Sequence, residues 1–209
     1  MKKQFLVLLI TLFTTLEVYS QTAYVKFPQV AKQIDLMIEH NQSVANEHIK
    51  LMNQPNKSDS PEMKGLMDEW KTIEEANKIQ IKTIFKDYGF LGYNEVGNES
   101  SYNFLQMIQH FDDDSTFQQQ VLVEMKKHID KINAKPIEFA NLTDRVNLNQ
   151  KKFQVYGTQL KLNEKGTTFE PKPVIDPKNL NKRRADIGLG TIEDAITIMN
   201  GHFAASLKK

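Results

Sequence analysis

Apolar positions recur at helical spacing through the first two thirds of the chain and alternate only in a short stretch after residue 150. Val30, Ile34, Met37, Asn41, Ala45, His48 and Met52 fall on one stripe, which predicts a helix over about Pro28 to Met52. Ser60-Pro61 pairs a capping residue with proline at the first helical position. Leu66, Trp70, Ile73, Asn77, Ile84 and Tyr88 then share a face until Gly89 stops the helix. A third helix is expected from Ser101 to His110, with Phe104, Leu105 and Ile108 inward. The run Asp112 to Ser115 breaks the chain and caps a fourth, carrying Phe117, Val121, Met125, His128 and Ile132. Pro136 opens a fifth, up to about Asn149.

The period then changes. Phe153 to Leu162 alternates and is rich in β-branched and aromatic residues. Asn163 to Gly166 reads as a turn, and Thr167 to Ile175 as a second extended segment whose prolines suit a sheet edge. Asp176-Pro177 starts a short helix that Gly188 closes. Thr191 with Asp194 resembles a capping box for a last helix to about Leu207. The fold class expected is mainly α, a helical bundle with one β-hairpin packed on it.

Composition adds a compartment. Met1-Lys2-Lys3 is a cationic start, Phe5 to Leu16 is uncharged and apolar, and Ser20 precedes Gln21. This is the pattern of a cleaved secretory signal peptide, so residues 1–20 are expected to be removed and 21–209 to form a single mainly helical domain. The apolar run falls short of the ~20 residues that span a bilayer. The expected location is the periplasm or the exterior, with no membrane attachment after cleavage. The chain has no cysteine, which closes disulfides, thiolate zinc sites and a lipid-modified cysteine anchor. Net charge is +1, with no basic stripe for nucleic acid.

Candidate chemistry gathers between His110 and Arg184. His110 at a helix end has a side chain suited to acid–base work, or to capping the last carbonyls. Asp144-Arg145 are neighbours that point about 100° apart on a helix, so one can face inward while the other reaches a ligand. Arginine suits a bidentate grip on carboxylate or phosphate. Gly157 lies inside Tyr156-Gly157-Thr158-Gln159, and a glycine in a strand pattern marks a bulge or a close approach. Gln154, Tyr156 and Gln159 could then touch a ligand there. Arg183 and Arg184 could bind an anion or tie the hairpin to the bundle. The spacings call for no cofactor and no metal, since three or four convergent ligands are needed. There is no Gly-rich phosphate loop and no nucleophile elbow.

Taken in order, Gln109-His110, Asp144-Arg145, Gln154 with Tyr156 to Gln159, and Arg183-Arg184 before Gly188-Leu189 resemble the marks of an uncharacterised bacterial family, a domain of unknown function. The resemblance covers about residues 67–189. It departs at Asp68-Glu69-Trp70-Lys71, where an Asp-Gln with a nearby arginine would be expected. The family lends candidate residues and implies no activity.

Two functional expectations follow. In one, a polar pocket binds a small anionic ligand through Arg145, Gln154, Tyr156, Gln159, Arg183 and Arg184, with His110 as acid or base in a hydrolysis or transfer and Asp144 orienting a neighbour. In the other, the same side chains form a structural network inside a non-catalytic periplasmic binding or interaction module.

Overall fold

A computed structural model describes residues 25–206. The expected signal peptide lies outside them. Among the described residues there are eight α-helices and one two-stranded sheet: α1 (Pro28–Met52), α2 (Pro61–Tyr88), α3 (Tyr93–Val96), α4 (Asn98–Gln109), α5 (Ser115–Ile129), α6 (Pro136–Asn149), β1 (Leu160–Leu162), β2 (Phe169–Pro171), α7 (Leu180–Ala185) and α8 (Ile192–Ser206). A 3-10 turn, Pro177–Asn179, leads into α7. None of these helices is long and apolar enough to cross a membrane.

The main core is built by α1 to α6. Ile34 and Met37 of α1 meet Ile81 and Ile84 of α2, Phe104, Leu105 and Ile108 of α4, Val121 and Met125 of α5, and Leu142 and Val146 of α6. Phe85 and Phe117 meet edge-on at 5.3 Å between ring centres, a favoured aromatic geometry. The α1–α2 hairpin loses burial toward its tip, where Met52 is more than half exposed. Asn77, expected to need a partner inside its apolar stripe, donates its side-chain amide to Asn41 at 2.9 Å.

Helix boundaries follow local chemistry. Ser60 Oγ accepts from the Met63 N–H at 3.1 Å, and Asp114 Oδ1 accepts from the Phe117 N–H. Each satisfies one of the donors that a helix start leaves open. Thr191 Oγ1 accepts from Asp194 N–H and donates to the Asp194 carboxylate. Ser60→Ala is expected to lower stability by about 1 kcal/mol in urea unfolding, with the slope unchanged. A loss under a few tenths would mean that the cap is already satisfied by solvent.

The sheet is smaller than the alternation predicts. Leu160 pairs with Pro171, Lys161 with Glu170 and Leu162 with Phe169, antiparallel. Residues 153–159 are not strand; Gln154 and Val174 share a single isolated parallel bridge. The cause lies in α6: the Asp144 carboxylate takes the N–H groups of Val155, Tyr156 and Thr158 that a ladder would have used. The third helix also begins earlier than expected, at Asn98, behind the short α3 that the pattern does not reveal. It ends as expected, with His110 as its cap residue.

Outside the main core, a smaller apolar contact joins the hairpin to the last helices. Gly157 has φ +67°, and a Cβ there would lie 3.3 Å from Leu180 of α7 and 3.4 Å from Ile192 of α8. Phe169 of β2 meets Phe203 of α8 edge-on at 5.5 Å. Asn200 of α8 accepts from the Phe169 N–H at 2.7 Å.

Candidate functional site

Asp144 and Arg145 diverge, as their adjacency on a helix requires. Asp144 is fully buried. Its Oδ1 accepts from the Val155 and Tyr156 N–H groups at 2.7 and 3.0 Å. Its Oδ2 accepts from the Thr158 N–H and hydroxyl at 2.8 and 2.9 Å. Four donors thus converge on one carboxylate, a charge-assisted arrangement that compensates its removal from water. Gly157 supplies the positive φ that lets the chain curl around it.

Three further predicted residues complete this turn. Gln154, also fully buried, donates from Nε2 to the carbonyls of Gln159 and Lys172, and accepts from the Gln159 N–H at 2.7 Å. Arg184 is buried and donates Nη1 to the Tyr156 carbonyl, Nε to Gly190 and Nη2 to Thr191. Arg183 donates to the carbonyls of Val155, Asp176 and Ile175. Burial lowers the Arg184 pKa, while the Asp144 charge opposes that shift. The Tyr156 hydroxyl is pushed up, first by burial and then by the Asp144 charge. The Tyr156 ring meets Phe139 edge-on at 6.4 Å between centres, and both the N–H and the carbonyl of Tyr156 are held. The Gln159 side-chain amide donates to the Thr158 hydroxyl at 3.4 Å.

Arg145 faces the other way, toward the turn between α4 and α5. Its Nε and Nη2 grip both oxygens of Asp112 at 2.7 and 2.6 Å, and Asn149 joins at 2.8 Å. The Arg145 guanidinium holds the Asp112 carboxyl below its usual range, with smaller help from Asn149 and the His110 charge; desolvation opposes them. The bidentate partner expected from a ligand is therefore supplied by the chain itself. His110 is exposed at the same turn, close enough to Asp112 for their charges to interact. Gln118, fully buried, secures the turn by donating to the carbonyls of Ile108 and Gln109.

The predicted residues thus divide into two groups joined at one peptide unit. Asp144, Gln154, Tyr156, Gln159, Arg183 and Arg184 surround the 154–159 turn. Arg145 grips Asp112, and His110 lies at the same turn. The Asp112, Asn149 and Gln118 roles were not visible in the sequence: Asp112 reads as a turn residue, and its partner Arg145 is 33 positions away. Among the described residues, no three His, Cys, Asp or Glu side chains stand where they could hold one metal ion.

Neither a curated protein nor a solved structure matches this chain. A family model matches residues 28–208. That span takes in α1, which the motif likeness over about residues 67–189 leaves out. With nearly all of its described length matched, the chain belongs to DUF6624, a family of unknown function.

Proposed function

We propose that the chain is exported and acts as a non-catalytic binding or interaction module, its conspicuous polar residues serving architecture. Export rests on the cationic start, the apolar run Phe5 to Leu16 and Ser20 before Gln21. The observation that carries the rest is the Asp144 carboxylate, whose four bonds go to the 155–158 turn. Gln154, Arg183 and Arg184 likewise spend their donors on backbone carbonyls. A ligand at this turn would have to displace bonds inside the protein, at about 1–3 kcal/mol for each buried group left unsatisfied.

The second reading, an anionic ligand with His110 as acid or base, keeps one observation in its favour. His110 is exposed beside an Asp112–Arg145 pair that an anion could open. A thermal-shift series separates the two. The protein, His110→Ala and Arg145→Ala are melted against phosphate, nucleotides, carboxylates and sugars. The module reading expects no ligand-dependent rise in Tm, and His110→Ala melting with the parent. A ligand at a hundred times its Kd adds about 2.7 kcal/mol. Such a rise, lost in both variants while they stay folded, would replace the module reading by the anion site.

A further inference from the structure

A second polar cluster, away from the motif residues, joins α3 to the end of α5. Asn133 is buried in the α5–α6 connection. Its Oδ1 accepts from the Asn94 N–H at 2.8 Å, and its Nδ2 donates to Glu95 Oε2 at 2.7 Å. Those two partners fix the amide's orientation, because an N–H can only donate and a carboxylate accepts. The second Nδ2 hydrogen is left for His128 Nδ1, 2.8 Å away. His128 Nδ1 is therefore the acceptor, and the neutral ring carries its proton on Nε2.

Glu95 Oε2 also accepts from the Gly92 N–H at 3.1 Å, and the Asn133 carbonyl accepts from Tyr93 N–H. The packing at Gly92 is close: a Cβ there would lie 2.3 Å from the Asn133 carbonyl oxygen. This turn in turn holds the start of α1. The Asn94 and Glu95 carbonyls accept from the N–H groups of Lys26 and Phe27 at 3.0 and 2.7 Å.

We propose that His128, Asn133 and Glu95 form a pH-sensitive latch that docks the entry of α1 onto α3 while His128 is neutral and loosens it when His128 is protonated. A proton on Nδ1 turns the acceptor into a donor facing the Asn133 amide donor. The acceptor then at hand is Glu95 Oε2, 3.7 Å from Nδ1. Drawing that oxygen toward the imidazolium takes it from Asn133 and from the Gly92 N–H. The neighbouring Ile132 favours release: it is β-branched, has φ 57° and is 87% exposed, so only the connection's bonds hold it in a left-handed conformation.

The charges facing the ring are Glu95 from α3, Glu124 and Lys127 from α5, and Lys131 just beyond it, with the Phe90 ring against its side. Burial is the largest influence and lowers the His128 pKa; Glu95 opposes it. The unfolded chain therefore takes up the proton first as pH falls. Stability is retained above the ordinary histidine value and is lost as pH falls from there through the lower folded value.

Amide spectra of the protein and of His128→Gln, taken between neutral and mildly acid pH, test the latch. Glutamine stays neutral and can accept from Asn133. In the parent, the amides of Gly92, Asn94, Lys26 and Phe27 should shift with the His128 midpoint. Their exchange, corrected for the free-peptide rate, should rise about fivefold as pH falls from one unit above that midpoint to the midpoint, as the protonated fraction does, and level off below it. Both effects should vanish in His128→Gln, which also controls for every other titrating group. Amides that stay still through the midpoint, or titrate equally in the variant, overturn the latch. If His128→Gln does not fold, the ring nitrogen spectrum of the parent decides: a neutral ring protonated at Nε2 is expected, and protonation at Nδ1 overturns it.

Discussion

Asp144→Ala is expected to lower the unfolding free energy by about 3–5 kcal/mol, among the largest effects of any single polar substitution in the chain. The substitution strands the N–H groups of Val155, Tyr156 and Thr158, together with the Thr158 hydroxyl. A buried donor without a partner costs about 1–3 kcal/mol, and water entering the opened turn recovers part of the sum. The variant also takes a compensating negative charge from beside Arg184. Asp144→Asn should fall between, because its carbonyl oxygen can keep one pair of donors while its amide faces the other. Urea unfolding with an unchanged slope is the measurement. A loss below about 1 kcal/mol would show that the turn finds other acceptors easily, and would remove the main support for an architectural role.

The second large effect is expected at Arg184. Arg184→Met keeps the length of the stem and removes the donors to Gly190, Tyr156 and Thr191. The expected cost is about 2–4 kcal/mol, concentrated at the docking of α8 rather than spread through the bundle. Amide exchange should rise along Ile192–Ser206 while the α4 and α6 amides keep their protection. Uniform loss across all helices would contradict this. Asp144 and Arg184 hold opposite sides of Tyr156, its N–H and its carbonyl. The double variant should therefore lose less than the sum of the two.

The long helices are legible because their signals are local. Ser60-Pro61 and Gly89 each act within a few residues of the end of α2 that they set, and the stripe between them runs through a 28-residue helix. The short α3 is not legible: four residues cannot display a period, and its capping partner Asn133 lies 39 positions from Asn94. The alternation of Phe153 to Leu162 misleads for a related reason. A carboxylate 11 residues upstream of Val155 takes the ladder's donors, and nothing in the alternating stretch itself records that.

The site divides along the same line. Residue types that suit ion and hydrogen-bond chemistry single out Asp144, Arg145, Gln154 and Arg184. Which partner each one takes depends on tertiary placement. Arg145 is suited to a carboxylate and finds one, but from Asp112. His128, Asn133 and Glu95 do not stand out in the sequence because each alone looks like an ordinary helix or turn residue, and their meaning arises only where α3 meets the end of α5.

The bonds around the 154–159 turn have a consequence for what may vary in this chain. Asp144, Gln154, Arg183 and Arg184 spend most of their hydrogen bonds on main-chain groups, at Val155, Gln159, Lys172, Ile175, Gly190 and Thr191 among others. Main-chain N–H and C=O are the same whatever side chain a position carries. The specification of this joint is therefore largely one-sided: four donor and acceptor side chains define it, while the stretches they grip are free to drift in sequence as long as they keep their path, the glycine at 157 and a hydroxyl at 158.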